Sequence, residues 1–230
     1  MPVRTALLFQ ADNFVGREYL HQLILAKKPP DLVASVGRMS KKSVALEQKR
    51  TGGRWNPPLP DRSHTIEHYT SLAENKLWGS IRAQSIDIVI QGGIGIIKPE
   101  ILDVPRIGFL NIHPGRLPSY RGNNCPEWAI YNGTDVYATA HLIDAKIDTG
   151  PTICEGRYDI AATWDYYDFR TNLYGHCSNL LLKALTILEN ASKDPASVLK
   201  SQDEAGSHYW PPMPQDKLDV VMKYFTTIGH

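Results

Sequence analysis

Residues Ile86–Gln91, reading IDIVIQ, are an almost unbroken apolar run that ends in the glycine-rich Gly92-Gly93-Ile94-Gly95-Ile96-Ile97. A strand of this kind can leave neither face to water, so it must sit inside a sheet with helices on both sides, as strands of parallel sheets do. The N-terminal part agrees. TALLFQ (Thr5–Gln10) reads as a buried strand, Val15–Ala26 has helical apolar spacing, and DLVASV (Asp31–Val36) reads as a second strand after a Pro-Pro turn. Strand, helix, strand in that order predicts an α/β fold: three layers around a mostly parallel twisted sheet.

Further elements follow along the chain. Helices are expected over Ser40–Arg50, Leu72–Gln84, Cys125–Asn132 and, most clearly, Asp165–Asn190. Strands are expected over Ile107–His113, Tyr137–Ile143 and Pro151–Ile160, the last of them antiparallel at the sheet edge. TGGRWNPPLPDR, residues 51–62, holds three prolines and two glycines and reads as a surface loop. The predicted organisation is a domain over residues 1–190 and a short C-terminal extension over 191–230. That extension is irregular through Trp210-Pro211-Pro212-Met213-Pro214 and closes with a short helix over Asp216–Tyr224.

Composition narrows the function classes. Lys plus Arg number 25 against 24 Asp plus Glu. Nucleic-acid-binding chains usually carry a clear basic excess, so no nucleic-acid partner is expected. Cys125, Cys154 and Cys177 form no CxxC or CxxH pair, which argues against a disulfide framework and predicts no metal site. No run approaches the roughly 20 apolar residues of a membrane helix. MPVRTALLFQ is too short an apolar start for a signal peptide. A soluble, cytoplasmic protein is expected.

Chemistry concentrates in two places. Asn111 and His113 lie two apart on a strand that Pro114-Gly115 terminates, so both side chains face one spot. Such a spot falls at the carboxyl edge of a parallel sheet, where ligands gather. An amide donor beside an imidazole suits stabilisation of an oxyanion and movement of a proton. The second place is the polar loop Ile143-Asp144-Ala145-Lys146-Ile147-Asp148-Thr149-Gly150, whose Asp148 would orient a histidine it reached. A dinucleotide fingerprint is not found after the first strand, where Gln10-Ala11-Asp12-Asn13 has no glycine.

In order, IDIVIQGGIGIIKPEILDVPRIGFLNIHPGRLPSYRG and AHLIDAKIDTGPTI resemble the folate-dependent formyltransferase family, strongly over Asp87–Ile153 and more loosely over residues 1–86. The resemblance implies a Rossmann-like formyltransferase domain and a catalytic trio of Asn111, His113 and Asp148. It implies 10-formyltetrahydrofolate as donor, its pterin held by Gly93, Ile94, Gly95 and Ile97 and by Ile143, Asp144 and Ala145. Gly115, Tyr120, Arg121 and Asn123 would meet the acceptor amine, on a mobile Gly115–Gly122 loop where Arg116 and Arg121 suit an anionic acceptor.

Within the family the acceptor is read partly by elimination. The glycine- and serine-rich phosphate loop of glycinamide ribonucleotide formyltransferases is replaced here by Gln10–Gly16. Methionyl-tRNA formyltransferases append a barrel domain, whereas forty residues follow Asn190. Formyltetrahydrofolate hydrolases carry an extra domain in front. The style is closest to sugar N-formyltransferases, so the expected acceptor is the amino group of a nucleotide-linked sugar. Another small amine, and a non-catalytic folate- or nucleotide-sugar-binding protein, stay open as alternatives, as does a homodimer.

Overall fold

Alternate residues of the central strands enter two separate cores. In the strand Thr5–Phe9 (β1), Leu7 and Phe9 face one core, and Ala6 and Leu8 the other. This is the period-2 geometry of a sheet covered on both sides. The computed structural model describes residues 3–58 and 65–227. Part of the loop expected over 51–62, residues 59–62, lies outside the described residues.

The chain continues through helix Phe14–Leu25 (α1), strand Leu32–Val36 (β2), helix Lys41–Arg50 (α2), strand Glu67–Tyr69 (β3) and helix Asn75–Ala83 (α3). Strands Ile88–Gln91 (β4) and Gly108–His113 (β5) follow. These five strands run parallel in the order β3-β2-β1-β4-β5. After the short strand Arg121–Gly122 (β6) and helix Cys125–Tyr131 (α4), strand Tyr137–Leu142 (β7) pairs antiparallel with β5. Strand Thr152–Arg157 (β8) closes the seven-stranded sheet, antiparallel to β7 at its edge, as its sequence predicts.

Helices cover both faces. Tyr19, Leu20 and Leu23 of α1 pack in the first core with the long helix Tyr166–Asn190 (α5), which contributes Phe169, Leu173, Leu181 and Leu188. Leu77, Trp78 and Ile81 of α3 fill the second core. α5 opens with a capping box in which Asp165 and Asp168 each bind the other's backbone N–H. α2 buries none of its residues. No helix among the described residues is long and apolar enough to cross a membrane.

Three features were not legible in one dimension. β3 has only three residues, too few for a period to show. Strand Tyr209–Trp210 (β9) pairs parallel with β6, tying the C-terminal segment to the loop beyond His113. The last helix, Gln215–Thr227 (α6), is longer than its apolar pattern suggests and sends Val221 and Phe225 into the first core.

Close helix–sheet packing depends on Gly16. A Cβ there would lie 2.1 Å from the Phe9 Cβ and 2.8 Å from the Gly92 carbonyl oxygen. Overfilling a packed core costs about 1–3 kcal/mol. Gly16→Ala is therefore expected to lower the urea midpoint, and an unchanged midpoint would show that α1 has room to slide.

Candidate active site

β5 places Asn111 and His113 on one face, and β7 sets His141 directly opposite Asn111 in the antiparallel register. The loop after β7 then doubles back. Gly150 makes this turn possible, since a Cβ there would sit 1.9 Å from the Leu142 carbonyl oxygen. Within the loop, Asp144 Oδ1 accepts from the Lys146 amide at 3.0 Å and the Thr149 hydroxyl at 2.6 Å. The result is that Asp148 meets both imidazoles.

The hydrogen bonds assign the protons. His141 Nδ1 lies 2.9 Å from the Leu142 carbonyl, which can only accept, so Nδ1 carries the hydrogen. Its Nε2 therefore presents a lone pair, and Asn111 Nδ2 donates to it at 3.1 Å. His113 Nε2 donates to the Tyr120 carbonyl at 2.6 Å, which turns Nδ1 toward Asp148 Oδ2 at 3.5 Å. Asp148 Oδ2 also accepts from the Gly122 amide at 2.9 Å, and its Oδ1 lies 3.7 Å from His141 Nε2. Asp148 has φ +55°, a left-handed conformation that Asp tolerates better than most residues. Gln202 holds it there by donating to the carbonyls of Asp148 and Gly150 at 3.0 and 2.7 Å.

Burial, and secondarily the charge of His113, push the His141 imidazole down to about 4, while Asp148 pulls the other way. His141 is thus neutral near pH 7 and acts as a fixed acceptor that aims the Asn111 amide. A histidine whose folded pKa lies below its unfolded value of roughly 6.5 binds fewer protons when folded than when unfolded between the two values. Its contribution to stability is complete above the unfolded pKa and is lost as pH falls toward 4. Unfolding in urea at pH 7 and pH 5 should show a smaller acid loss for His141→Gln than for the parent chain. Parallel losses in the two proteins would remove this role.

A cavity of about 440 Å³ opens beside these groups. Asn111, His141 and Asp148 line it, together with Gly95 and Ile97 from the loop after β4 and Ile143, Asp144 and Ala145 from the loop after β7. His113 is 4% exposed and stands behind Asp148. Among the described residues, the backbone amides of Ile97, Asp144 and Ala145 form no hydrogen bond within the chain, so flat polar edges border the cavity. Ile94 instead packs in the second core, and Gly93 faces Asn13, whose Nδ2 donates to its carbonyl at 3.2 Å.

The four residues expected at the acceptor divide. Asn123 lines the cavity. Gly115 packs so closely behind His113 that a Cβ would lie 2.6 Å from Nε2. Tyr120 supplies its carbonyl to His113 and stacks its ring on Trp210. Arg121 is buried and engages Glu204 and Gln202 of the C-terminal segment, while Arg116 pairs with Glu155 on the surface. The sequence reading passed over His141. Its signal was that Thr139 and His141 share one face of β7, two apart, as Asn111 and His113 do on β5. Among the described residues no cluster of three or more His, Cys, Asp or Glu is placed to hold a metal ion.

A doubly covered parallel sheet with an amide, two imidazoles and a carboxylate gathered beside a cavity defines a group-transfer type of site. The formyl transferase family pattern matches residues 10–185, more than half of the chain, and the chain belongs to that family. It is 32% identical over 178 residues to a methionyl-tRNA formyltransferase of Deinococcus radiodurans, covering 73% of this chain and 54% of that protein. The chain thus spans about half the length of the curated relatives it matches. Among solved structures, phosphoribosylglycinamide formyltransferase from Streptococcus pneumoniae TIGR4 superposes with a TM-score of 0.58 at 22% identity, over 82% of this chain and 99% of that one. An N-formyltransferase from Helicobacter canadensis, in complex with folinic acid and dTDP-3-aminofucose, gives 0.54 at 16% identity, over 91% and 71%. At these identities the structures share the fold.

Proposed function

We propose that the chain transfers a formyl group from 10-formyltetrahydrofolate to a primary amine, and that the acceptor is the amino group of a nucleotide-linked sugar. The observation that carries the reading is the convergence of Asn111, His113 and Asp148 beside the 440 Å³ cavity. That volume and the free backbone edges of Ile97, Asp144 and Ala145 suit a pterin, whose ring presents donors and acceptors in one plane. When bound, the donor supplies an electrophilic formyl carbon and a leaving nitrogen.

The residues of the chain would divide the remaining work. Asn111 gives one amide hydrogen to His141 and keeps the other for the oxygen of the formyl group as it gains negative charge. Removing a donor of this kind costs about 2.7–4 kcal/mol of barrier. Asp148 accepts the proton that the attacking amine sheds and returns one to the leaving nitrogen, through water. His113, fixed by the Tyr120 carbonyl, orients Asp148 and stabilises its charge.

Identity to methionyl-tRNA formyltransferases favours a second reading, in which the amine is that of an aminoacyl-tRNA. One assay separates the two. The protein is incubated with formyl donor alone, then with dTDP- and UDP-linked amino sugars, then with methionyl-tRNA, and released tetrahydrofolate is followed by absorbance. Release only with amino sugars supports the first reading. Release only with methionyl-tRNA installs the second. Formate without an acceptor marks a hydrolase and removes both.

A further inference from the structure

The cavity beside the trio does not end at Asn123. Gly122 and Asn123 also line a second cavity of about 240 Å³, walled by Val15 of α1, Glu47 and Arg50 of α2, and Arg170 and Tyr174 of α5. Arg50 and Asn124 in turn line a third, of about 270 Å³, walled by Leu46, Lys49, Tyr166, Tyr167, Met213 and Met222. Shared walls make the three cavities neighbours in a line. Asn124 stands at the second junction in a left-handed conformation, φ +51°, and its Oδ1 accepts from the Met213 amide at 3.2 Å.

Chemistry changes along this line. The first cavity holds the trio. The middle one is bordered by cations. Arg50 keeps 30% of its side chain exposed and pairs with Glu47 at 3.2 Å. Lys49 has no carboxylate partner among the described residues. Arg170 is buried and its Nε has no hydrogen-bond partner. The outer cavity is mostly apolar, with two tyrosines and two methionines available to a flat ring. An amine, then an anion, then an aromatic face is the layout of an amino sugar joined through a diphosphate to a base. α2 is free to serve, because none of its residues is used in the core.

Resting on the formyl-transfer reading, we propose that the trough between α2, α5 and the Pro212–Met222 segment binds the nucleoside diphosphate of the acceptor. Arg50 and Lys49 meet the phosphates, and the Tyr167, Met213 and Met222 slot receives the base. Guanidinium suits phosphate oxygens because its N–H groups can bind two at once.

The test uses dTDP and UDP as probes, without any amine, so that chemistry is not required. Calorimetric titration of the full chain should show binding of at least one of them. Arg50→Ala should weaken it by about tenfold or more. Leu46→Glu, a surface change at the outer slot, should weaken it as well, with the thermal midpoint of both variants unchanged. Absence of dTDP and UDP binding to protein that still binds 5-formyltetrahydrofolate overturns the trough and leaves the formyl-transfer reading intact. Binding that Arg50→Ala leaves unchanged overturns it too. Normal dTDP or UDP binding without turnover of any amino sugar upholds the trough and sinks the formyl-transfer reading instead.

Discussion

Asp148→Asn is expected to reduce formyl transfer by about 10²–10⁴-fold, the usual span for loss of a positioned acid–base group, while 5-formyltetrahydrofolate still binds. Asn tolerates the left-handed backbone that Asp148 occupies, so the loop should keep its path. An amide oxygen can still accept from the Gly122 amide, as Asp148 Oδ2 does at 2.9 Å. What the variant loses is the charge facing His113 Nδ1 at 3.5 Å and the ability to hold a proton. Single-turnover rates and folate titration of the two proteins decide the matter. A variant with undiminished turnover would transfer the proton role elsewhere in the site.

The second large effect concerns stability. Glu127 is fully buried beneath α4, with Arg170 Nη1 at 3.2 Å and the Tyr166 hydroxyl donating to Oε1 at 3.0 Å. Burial opposes the charge on Arg170, yet Glu127 and the surrounding Tyr174, Tyr166 and Glu47 hold its pKa above the ordinary value. Arg170→Met leaves a buried carboxylate without its cation, and breaking such a pair costs about 3–5 kcal/mol. Replacing both partners, as Glu127→Leu with Arg170→Met, should recover at least about 2 kcal/mol of that, because neither charge is then stranded. Urea unfolding of the single and double variants measures both quantities. A double variant as unstable as the single one would show that packing at Arg170, rather than charge, supports α5.

How far one dimension reaches is plain at particular residues. β4 was legible because Ile88, Val89 and Ile90 are all fully buried, and no other environment admits three such neighbours. α5 was legible because its apolar residues keep one period through Leu188. β3 was not, since its pairing with β2 depends on residues some thirty positions away. Arg121 looked from its position beside Gly122 like an acceptor contact. Its actual partners, Gln202 and Glu204, lie more than eighty residues along the chain.

The sequence by itself determined the layered α/β frame and the two strand positions from which Asn111 and His113 point the same way. Both follow from local periodicity, which any short stretch carries within itself. Only the tertiary structure decided that His141 aims Asn111, that Gly150 lets Asp148 fold back between two imidazoles, and that three cavities align past Asn123 and Asn124. Those outcomes depend on antiparallel register and on loop closure between distant segments, where the deciding distances are set by packing and not by spacing along the chain.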